Sequence, residues 1–312
     1  MMRHLLRSAD LDAGAQADLL ALAAELKEDR RRRERSCATL VRDDLRGRTV
    51  ALVFEKPSTR TRVSFQVAVH ELGGHPLPLS SSELQLGRGE TIADTARVLS
   101  GYVHGVVVRT FGQERLDELA AHASVPVVNA LTDLEHPCQA LADLLTLTEE
   151  FGGVEDRHLV FVGDGNNVAH SLLVAGALAG MHVTVAHPEG YAPDPGVVAQ
   201  ATSLAAATGA RIATTTDAVD AVRDADALYA DVWTSMGQEA SDADRRRDFA
   251  GYAITPELFG HAGDDAVFLH CLPAHRGEEV AAEVIDGPAS RVWAQAENRL
   301  HVQKALLATL LA

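Results

Sequence analysis

The chain has 312 residues, a length that accommodates about two domains of ordinary size. Apolar residues make up 46% of it and charged residues 23%, which is typical of globular proteins and excludes a disordered or fibrous chain. The 44 acidic residues outnumber the 28 basic ones and give a net charge of −16, which disfavours non-specific binding to nucleic acid or to an anionic membrane. An anionic ligand therefore needs a local cluster of cations.

The first predicted element is a helix over Leu19–Lys27, where apolar residues recur at helical spacing. Four arginines, Arg30–Arg33, follow it. Both a nucleic-acid-binding patch and the solvated end of a helix explain such a run. Because Asp29 and Glu34 flank the arginines, we favour the solvated helix end.

From Thr49 onward, short apolar strands alternate with helical segments, which predicts an α/β fold of parallel sheets covered by helices. The pattern restarts after residues 152–153, so we predict two domains, 1–135 and 136–295. A last helix, over about 296–312, is expected to pack back onto the first domain. The predicted strands are Thr49–Phe54, Val103–Arg109, Val125–Val128, Leu159–Val162, Val183–Ala186, Arg211–Thr214, Ala227–Tyr229 and Val267–Leu269, and the main predicted helices are Thr61–Leu72, Glu114–His122, His136–Phe151 and Asn298–Leu311.

Cysteine usage and the N-terminal residues bear on the compartment. The three cysteines, Cys37, Cys138 and Cys271, are odd in number and far apart, which favours free thiols in a reducing environment. Arg7 and Asp10 interrupt the apolar residues near the N-terminus, so a secretory signal is not expected. No apolar run approaches the ~18 residues of a membrane span. We therefore expect a cytoplasmic protein.

Ligands of open α/β sheets bind beyond the carboxyl ends of the strands, so motifs at those ends are the first candidates. Ser58–Arg62 follows the first strand and opens a helix. Backbone N–H groups at a helix N-terminus, hydroxyls and guanidinium groups together suit a tetrahedral oxyanion such as phosphate. An ordinary N-cap explains Ser58 but not Arg60 and Arg62, so we favour an anion site. The G-x-x-x-x-G-K-[ST] pattern of a P-loop is absent.

A second motif, His136–Gln139, opens the helix that closes the first half of the chain. His136 and Gln139 are three residues apart and share one face, where they could hydrogen-bond a carbonyl or an amide. A capping or buried polar histidine is the alternative interpretation. Arg109 ends a predicted strand and is either a further cationic donor or a surface residue.

The turn Gly163–Val168 opens the second half and invites comparison with a dinucleotide fingerprint. Val168 occupies the position of the third glycine, and His187 stands where an acid is expected, so we exclude nicotinamide binding. Asn166 and Asn167 could instead hydrogen-bond a polar group of a small ligand.

Two further motifs follow strands of the second half. Asp231 begins the segment Asp231–Gly237 and either pairs with a ligand ammonium or forms a turn. In His270–Pro273, Cys271 is either a thiol aimed into a cleft between the domains or a small buried hydrophobe. His270 should point to the opposite side of its strand, so a Cys–His nucleophile is not expected, and the widely spaced cysteines disfavour zinc.

Together these motifs resemble the aspartate/ornithine carbamoyltransferase family, and most closely its ornithine-specific members. The resemblance runs over nearly the whole chain. One string would be weak evidence, whereas six in the family's order, on matching strands and helices, are specific. The strings are Phe54–Arg62, Asp94–Leu99, His136–Gln139, Asp231–Gly237, His270–Pro273 and Ala296–Arg299.

The resemblance implies that residues 1–135 bind carbamoyl phosphate and residues 136–295 bind ornithine. The implied reaction moves the carbamoyl group to the δ-amine of L-ornithine and yields L-citrulline and phosphate, in arginine synthesis or arginine breakdown. No metal or organic cofactor is expected, because carbamoyl phosphate already carries a good leaving group. The family implies a homotrimer or a multiple of trimers, with small-molecule substrates and with neither nucleic acid nor membrane as a partner.

The resemblance also assigns roles to individual residues. Arg60, His136 and Cys271 are the implied catalytic residues. Gln85 is implied to reach the site of a neighbouring subunit. The implied carbamoyl phosphate set is Ser58, Thr59, Arg60, Thr61, Gln85, Arg109, His136, Gln139, Cys271, Leu272 and Arg299, and the implied ornithine set is Asn167, Asp231, Ser235 and Met236.

The second half of the chain distinguishes the acceptors. Aspartate has an anionic side chain and would need cationic partners. Here the acceptor residues include Asp231 with the neutral Asn167 and Ser235, which suit the ammonium groups of ornithine. Another amine, putrescine or N-acetylornithine, is the alternative acceptor. A non-catalytic anion-binding protein is disfavoured because both ligand sets are present.

Overall fold

The computed structural model describes residues 3–80, 84, 89–234 and 242–312. The chain divides into two compact units. Unit 1 combines Met1–Leu145 with Glu297–Ala312, and unit 2 is Thr146–Ala296. Both divisions fall inside helices, whereas the domain boundary predicted from the sequence lies between residues 135 and 136, just before one of these helices.

Unit 1 is built on a parallel four-stranded sheet in the order β2-β1-β3-β4. Beyond β4, Leu5 forms a parallel bridge with Val128, so the N-terminal segment extends the sheet. The strands are β1 (Thr49–Phe54), β2 (His75–Ser80), β3 (Gly105–Arg109) and β4 (Val127–Leu131), and the helices are a 3-10 helix (Ser8–Asp10), α1 (Ala13–Arg35), α2 (Thr59–Glu71), α3 (Ile92–Ser100), α4 (Gln113–His122) and α5 (Pro137–Phe151).

Both faces of this sheet are buried, which explains why β1 is apolar almost throughout. Side chains alternate along a strand, so Val50 and Leu52 pack on one face while Ala51 and Val53 pack on the other. α3 and α4 cover the second face. Full burial of a side chain such as Leu52 stabilises the fold by about 1.5–3 kcal/mol. The first face is covered by α1, α2, α5 and the C-terminal helix α12 (Val292–Leu311).

Unit 2 carries a parallel five-stranded sheet in the order β7-β6-β5-β8-β9. One helix on it, α6, is buried along its whole length after its first residue, as its small and apolar residues allow. The strands are β5 (His158–Val162), β6 (His182–Ala186), β7 (Ile212–Thr215), β8 (Ala227–Ala230) and β9 (Val267–His270), and the helices are α6 (Asn167–Leu178), α7 (Pro195–Thr208), α8 (Ala218–Ala221), α9 (Asp242–Asp248), α10 (Pro256–Phe259) and α11 (Ala282–Ile285).

In each sheet the chain adds strands first on one side and then on the other, so the strand order reverses at one point. In unit 1 the chain moves from β1 to β2 on one side and then to β3 on the other, so the reversal lies between β1 and β3. In unit 2 the reversal lies between β5 and β8. Crevices outside the carboxyl ends of such strand pairs are the usual ligand sites of open α/β sheets. The fold therefore directs attention to the residues after β1 and β3, and after β5 and β8.

The predicted α/β class is confirmed, with two parallel sheets covered by helices. The C-terminal helix does pack on unit 1, where Val302 and Leu306 share a core with Leu19. The arginine run forms the end of α1, and Arg30 and Arg33 pair with nearby acids, as the solvated-helix interpretation predicts. Within the described ranges, none of the helices is both long and apolar enough to cross a bilayer.

Candidate functional site

In unit 1, the residues after β1 form the first turn of α2. Ser58 is the N-cap of this helix, and its hydroxyl accepts a hydrogen bond from the Thr61 N–H at 3.3 Å. Thr59 and Arg60 follow in the first turn; Thr59 is exposed and Arg60 half-buried. Arg62 is exposed. The turn thus combines hydroxyl groups, a guanidinium group and the positive end of a helix.

A buried chain of hydrogen bonds ties this turn to two other helices. Arg299 on α12 donates to the Thr61 hydroxyl at 2.5 Å and to the Gln139 side-chain carbonyl at 2.9 Å. Gln139 in turn donates to Asp143, one turn further along α5, at 2.8 Å. Thr61, Gln139 and Arg299 are all buried, so their positions are fixed by partners rather than by water. These hydrogen bonds bring together three residues of the implied carbamoyl phosphate set.

His136, just before α5, is buried beside cations. Burial lowers the pKa of its imidazole well below the ordinary value, and the charges of Arg299, Arg109 and Arg60 lower it further. The His136 imidazole is therefore neutral at physiological pH, and the positive charge of this cluster belongs to the three guanidinium groups. A cluster of this kind attracts a small anion that offers several oxygen atoms.

Lys56 links the ends of three strands of unit 1. It lies after β1, pairs with Asp133 after β4, and stands 4.5 Å from the centre of the Phe111 ring, after β3. Its side chain is 8% exposed. We assigned it no role from the sequence, although it lies two residues before Ser58 in the string Phe54–Arg62.

In unit 2, Asp231 lies directly after β8 and is buried. The Cys271 thiol donates to one carboxylate oxygen at 2.9 Å, and the Asn166 amide donates to the other at 2.8 Å. Asp231 therefore joins the ends of β5, β8 and β9. The Val232 N–H also donates to the first oxygen, at 2.8 Å, so the three donors to this buried carboxylate are all neutral. A cationic ligand would suit such a group.

Asn166 and Asn167 open α6. Asn166 caps the helix by accepting hydrogen bonds from Val168 and Ala169, and its amide N–H₂ reaches Asp231. Asn167, the first helical residue, is half-buried. The turn before them needs glycine, because a Cβ on Gly165 would lie 2.2 Å from the Pro193 backbone nitrogen. The Gly-rich pattern of this turn thus serves close packing of two backbone segments.

Cys271 and Leu272 are half-buried after β9, and Leu272 has a φ of 58°, which is strained for a leucine. The His270 imidazole accepts from the Leu272 N–H at 2.8 Å and donates to Glu279 at 3.2 Å. This pattern requires a neutral imidazole with its proton on Nε2. Burial tends to raise the pKa of Glu279, but hydrogen bonds from His270 and from the His275 N–H outweigh that effect and lower it.

Glu279 was missed by the sequence analysis, and no local spacing marks it. With His270 it supports the backbone of the Cys271–Leu272 segment. The thiol of Cys271 bonds to Asp231 instead of His270, in keeping with the expected opposite orientation of the two side chains.

Two groups of described residues bring three potential metal ligands within 4.8 Å of one another. In the group Asp231, His270 and Cys271, both imidazole nitrogens already take part in hydrogen bonds, and the thiol is bonded to the carboxylate. Binding a metal there would require these bonds to break. The other group is His275, Glu278 and Glu279, in which Glu278 pairs with Arg246.

The predicted site residues therefore fall into two sets, one in each unit. Gln85, Ser235 and Met236 lie outside the described residues. Unit 1 brings together Ser58, Thr61, Arg60, Arg109, His136, Gln139 and Arg299, with Thr59 exposed beside them, and unit 2 brings together Asn167, Asp231, Cys271 and Leu272 at neighbouring strand ends.

Two family models match the chain. Residues 3–149 match the carbamoyl-P binding domain of aspartate/ornithine carbamoyltransferase, and residues 155–310 match its Asp/Orn binding domain. The ornithine carbamoyltransferase of Acidothermus cellulolyticus is 58% identical over 311 residues, which is 100% of this chain and 97% of that protein. The structure of ornithine carbamoyltransferase from Pyrococcus furiosus has a TM-score of 0.94 and 50% identity, covering 99% of this chain and 97% of that one. The corresponding structure from Gloeobacter violaceus has a TM-score of 0.88 and 48% identity, covering 99% of both chains.

Proposed function

The chain belongs to the aspartate/ornithine carbamoyltransferase family, and we propose that it transfers the carbamoyl group of carbamoyl phosphate to the δ-amine of L-ornithine. The neutral δ-nitrogen attacks the carbonyl carbon, and a tetrahedral oxyanion forms. The bond from this carbon to the phosphate oxygen then breaks, and the nitrogen loses a proton, which leaves L-citrulline and phosphate. The δ-amine is largely protonated in water at neutral pH, so its deprotonation is part of the barrier.

Unit 1 supplies the carbamoyl phosphate half-site in this proposal. Ser58, Thr59 and Thr61 donate to phosphate oxygens, and Arg60 and Arg109 neutralise the leaving phosphate. His136, kept neutral by burial and by the neighbouring arginines, donates with Arg60 to the carbonyl oxygen as negative charge develops there. Gln139 and Arg299 complete the half-site, and their mutual hydrogen bond holds them in place. Gln85 contributes from a neighbouring subunit.

Unit 2 supplies the acceptor half-site. Asp231 binds the α-ammonium of ornithine and, with Cys271, orients the δ-amine toward the carbamoyl carbon. Asn167, Ser235 and Met236 contribute the other contacts to ornithine, and Cys271 and Leu272 also take part in binding carbamoyl phosphate. The hydrogen bonds from Asn166 and Cys271 support these roles because they fix both oxygens of the Asp231 carboxylate. No step calls for a metal or an organic cofactor.

One observation carries the proposal. In unit 1, Arg60 and Arg109 lie at or after the ends of β1 and β3, the two strands that flank the reversal of the sheet. In unit 2, the Asp231 carboxylate follows β8, one of the two strands that flank the reversal there. This pair of charges matches an anionic donor and a cationic acceptor. An aspartate acceptor would bring a second carboxylate to Asp231, and like charges would repel.

An acceptor panel tests the proposal. The wild-type protein is given carbamoyl phosphate with L-ornithine, putrescine, N-acetyl-L-ornithine or L-aspartate, and the carbamoylated product is measured colorimetrically. We expect kcat/KM for ornithine to exceed that for every other acceptor by at least about a hundredfold. Asp231→Asn, which keeps the size of the side chain, should raise the KM for ornithine much more than the KM for carbamoyl phosphate. A preference for another acceptor, or equal changes in both KM values, would refute the assignment.

We also propose a homotrimer, or a multiple of trimers, in the cytoplasm. The family supports the trimer, which would let Gln85 reach a second site. In the described structure Cys37, Cys138 and Cys271 form no disulfide, which supports a reducing compartment. Light scattering coupled to size-exclusion chromatography measures the mass directly. A mass that is not a multiple of three chains would contradict the proposed assembly.

A further inference from the structure

Arg245, on α9 of unit 2, is held by two partners that lie far from it in sequence. Its guanidinium donates to the Asp164 carboxylate at 2.7 Å and to the Trp233 backbone carbonyl at 2.6 Å. The side chains of Arg245 and Asp164 are only 12% and 13% exposed. An ion pair so well shielded from solvent is costly to break, because either partner alone would leave a largely buried charge.

Aromatic rings enclose the same guanidinium. The Tyr191 ring lies 5.1 Å from the guanidinium carbon, and the Phe249 ring lies 6.0 Å from it. Phe249 also stacks on Trp233, with 5.7 Å between ring centres. A planar guanidinium can lie flat against a ring while its N–H groups donate in its own plane, whereas a lysine ammonium has no plane to stack.

The two arginines that follow on α9 differ from Arg245. Arg246 and Arg247 are 55% and 72% exposed, and they pair with acids at the surface. Exposed ion pairs of this kind contribute little to the stability of a fold. The helix therefore provides one enclosed arginine and a matched exposed one, which is useful for an experiment.

The partners of Arg245 lie on the two segments that flank the reversal of the sheet. Asp164 belongs to the turn after β5, two residues before Asn166. Trp233 belongs to the segment after β8, two residues after Asp231. Asn166 and Asp231 are themselves hydrogen-bonded to each other. The Asn166–Asp231 hydrogen bond is one cross-link between the two segments. Arg245 adds a second one, between Asp164 and Trp233.

From this geometry we propose that Arg245 is a positioning residue of the acceptor half-site, which sets the distance between the Asn166–Asn167 turn and Asp231. The inference rests on the proposed function, since it takes Asp231 as the ligand of the ornithine ammonium. Arg245 acts through Asp164 and Trp233 and has no assigned contact with substrate. Its loss should therefore affect ornithine more than carbamoyl phosphate.

Charge also connects Arg245 to the acceptor half-site. Burial raises the pKa of Asp164, and the nearby Asp231 carboxylate adds to that effect, while Arg245 opposes both. When a neutral residue replaces Arg245, Asp164 either takes up a proton or remains as a second carboxylate near Asp231 without a cationic partner. Either change alters the field that an ornithine ammonium meets in the half-site.

The test compares Arg245→Gln and Arg245→Lys with Arg247→Gln, the matched control on the same helix. Initial rates of citrulline formation give kcat and both KM values. We expect Arg245→Gln to raise the KM for ornithine about tenfold or more, with the KM for carbamoyl phosphate within about twofold of wild type. Arg245→Lys keeps the charge but not the planar group that lies against the Tyr191 and Phe249 rings, and should show an intermediate rise. Arg247→Gln should match wild type.

A double variant separates positioning from general stability. Asp164→Asn in the Arg245→Gln background removes the carboxylate left without its cation, so the ornithine KM should fall below that of Arg245→Gln alone. Equal changes in both KM values, or an ornithine KM within twofold of wild type, would overturn the positioning role. If Arg245→Gln fails to fold, Arg245→Lys decides by the same criterion. Absence of citrulline with the wild-type protein would instead refute the proposed function.

Discussion

His136 lies buried beside three arginines whose charges help to keep its imidazole neutral. A neutral imidazole donates one hydrogen bond and accepts another, whereas a charged one only donates. The positive charge that offsets an anionic ligand therefore comes from Arg60, Arg109 and Arg299. This division of roles leads to a prediction for Arg60, which is half-buried at the first turn of α2.

Replacing Arg60 with glutamine should lower kcat by about 10²–10³-fold and raise the KM for carbamoyl phosphate, because one donor to the developing oxyanion and the phosphate is lost. Arg62→Gln is the matched control, since Arg62 is exposed on the same helix. Steady-state kinetics of both variants provide the measurement. Similar kinetics for the two variants would remove Arg60 from the proposed half-site.

Individual residues differ in how far the sequence predicts them. Arg60, Arg109 and Asp231 became candidates because each lies at the end of a predicted strand or in the segment after it, where parallel sheets place their ligands. Arg299 lies 160 residues from Gln139, and only the family resemblance singled it out. Arg245 lies 81 residues from Asp164, and nothing in the local pattern connects the two. Partnerships between distant residues require the folded chain.

At the scale of elements, the turn between β5 and α6 depends on a close approach of two backbone segments. The Gly165 N–H donates to the Tyr191 carbonyl, and no room is left for a side chain on Gly165. The turn carries Asn166 and Asn167, so its geometry and the acceptor half-site are linked.

Gly165→Ala should destabilise unit 2 by about 1–3 kcal/mol, because the added methyl group must displace the backbone at Pro193. It should also raise the KM for ornithine. Gly153→Ala is the control, since a Cβ there meets nothing within 4 Å. Thermal unfolding and steady-state kinetics measure the two effects. A Gly165→Ala protein as stable and active as the control would contradict the tight packing of this turn.

On α12, the side chain of His301 is only 1% exposed. Burial, with the charges of Lys27 and Lys304, lowers the pKa of His301 to about 3. In the unfolded chain the pKa of a histidine is about 6.5. Between these values the unfolded state binds a proton that the native state does not, so the stability conferred by neutral His301 is present above pH 6.5 and is lost as pH falls toward 3.

The loss should reach about 2 kcal/mol by pH 5. His301→Gln cannot titrate, so its free energy of unfolding should fall less than that of wild type between pH 7.5 and pH 5. His70→Gln, at an exposed histidine of α2, is the control and should follow wild type. Urea unfolding at the two pH values measures the difference. Parallel slopes for His301→Gln and wild type would contradict the assigned pKa shift.

Most strands were predicted from apolar runs, but β2 was missed because its sequence contains Pro76 and Pro78. The structure explains why they are tolerated. The His75 N–H bonds to the Arg48 carbonyl on the β1 side, so the nitrogens of residues 76 and 78 face the open edge of the sheet. A proline at these positions removes no ladder hydrogen bond. The sequence does not reveal which side of a strand lies at an edge.

In the molecule as a whole, each unit places several of its candidate residues after the strands that flank the reversal of its sheet: Ser58–Thr61 and Arg109 in unit 1, and Asn167 and Asp231 in unit 2. The sequence predicted parallel sheets and two α/β domains from the alternation of strands and helices. It did not predict strand order, because an apolar pattern shows that a strand is buried and not which strand lies beside it. The position of each reversal, and with it the place of each proposed half-site, follows from the strand order of the folded chain.

The proposed assembly leads to a test by subunit mixing. Gln85→Ala and Asp231→Ala should each be nearly inactive. If Gln85 acts in the site of a neighbouring subunit, dissociating and reassembling the two variants together should restore about a quarter of the wild-type activity. A site is then intact only when its own chain carries Asp231 and its neighbour carries Gln85. The control is wild-type protein that is dissociated and reassembled in the same way. If it regains activity and the mixed variants do not, the shared site is contradicted.

The new covalent bond offers the most direct test of the reaction. Wild-type protein receives carbamoyl phosphate labelled with ¹³C and L-ornithine labelled with ¹⁵N at the δ position only. We expect a one-bond ¹³C–¹⁵N coupling in the NMR spectrum of the product, together with one phosphate released for each ureido group formed. A ¹³C product without this coupling, or phosphate release without a carbamoylated product, would contradict carbamoyl transfer to the δ-nitrogen.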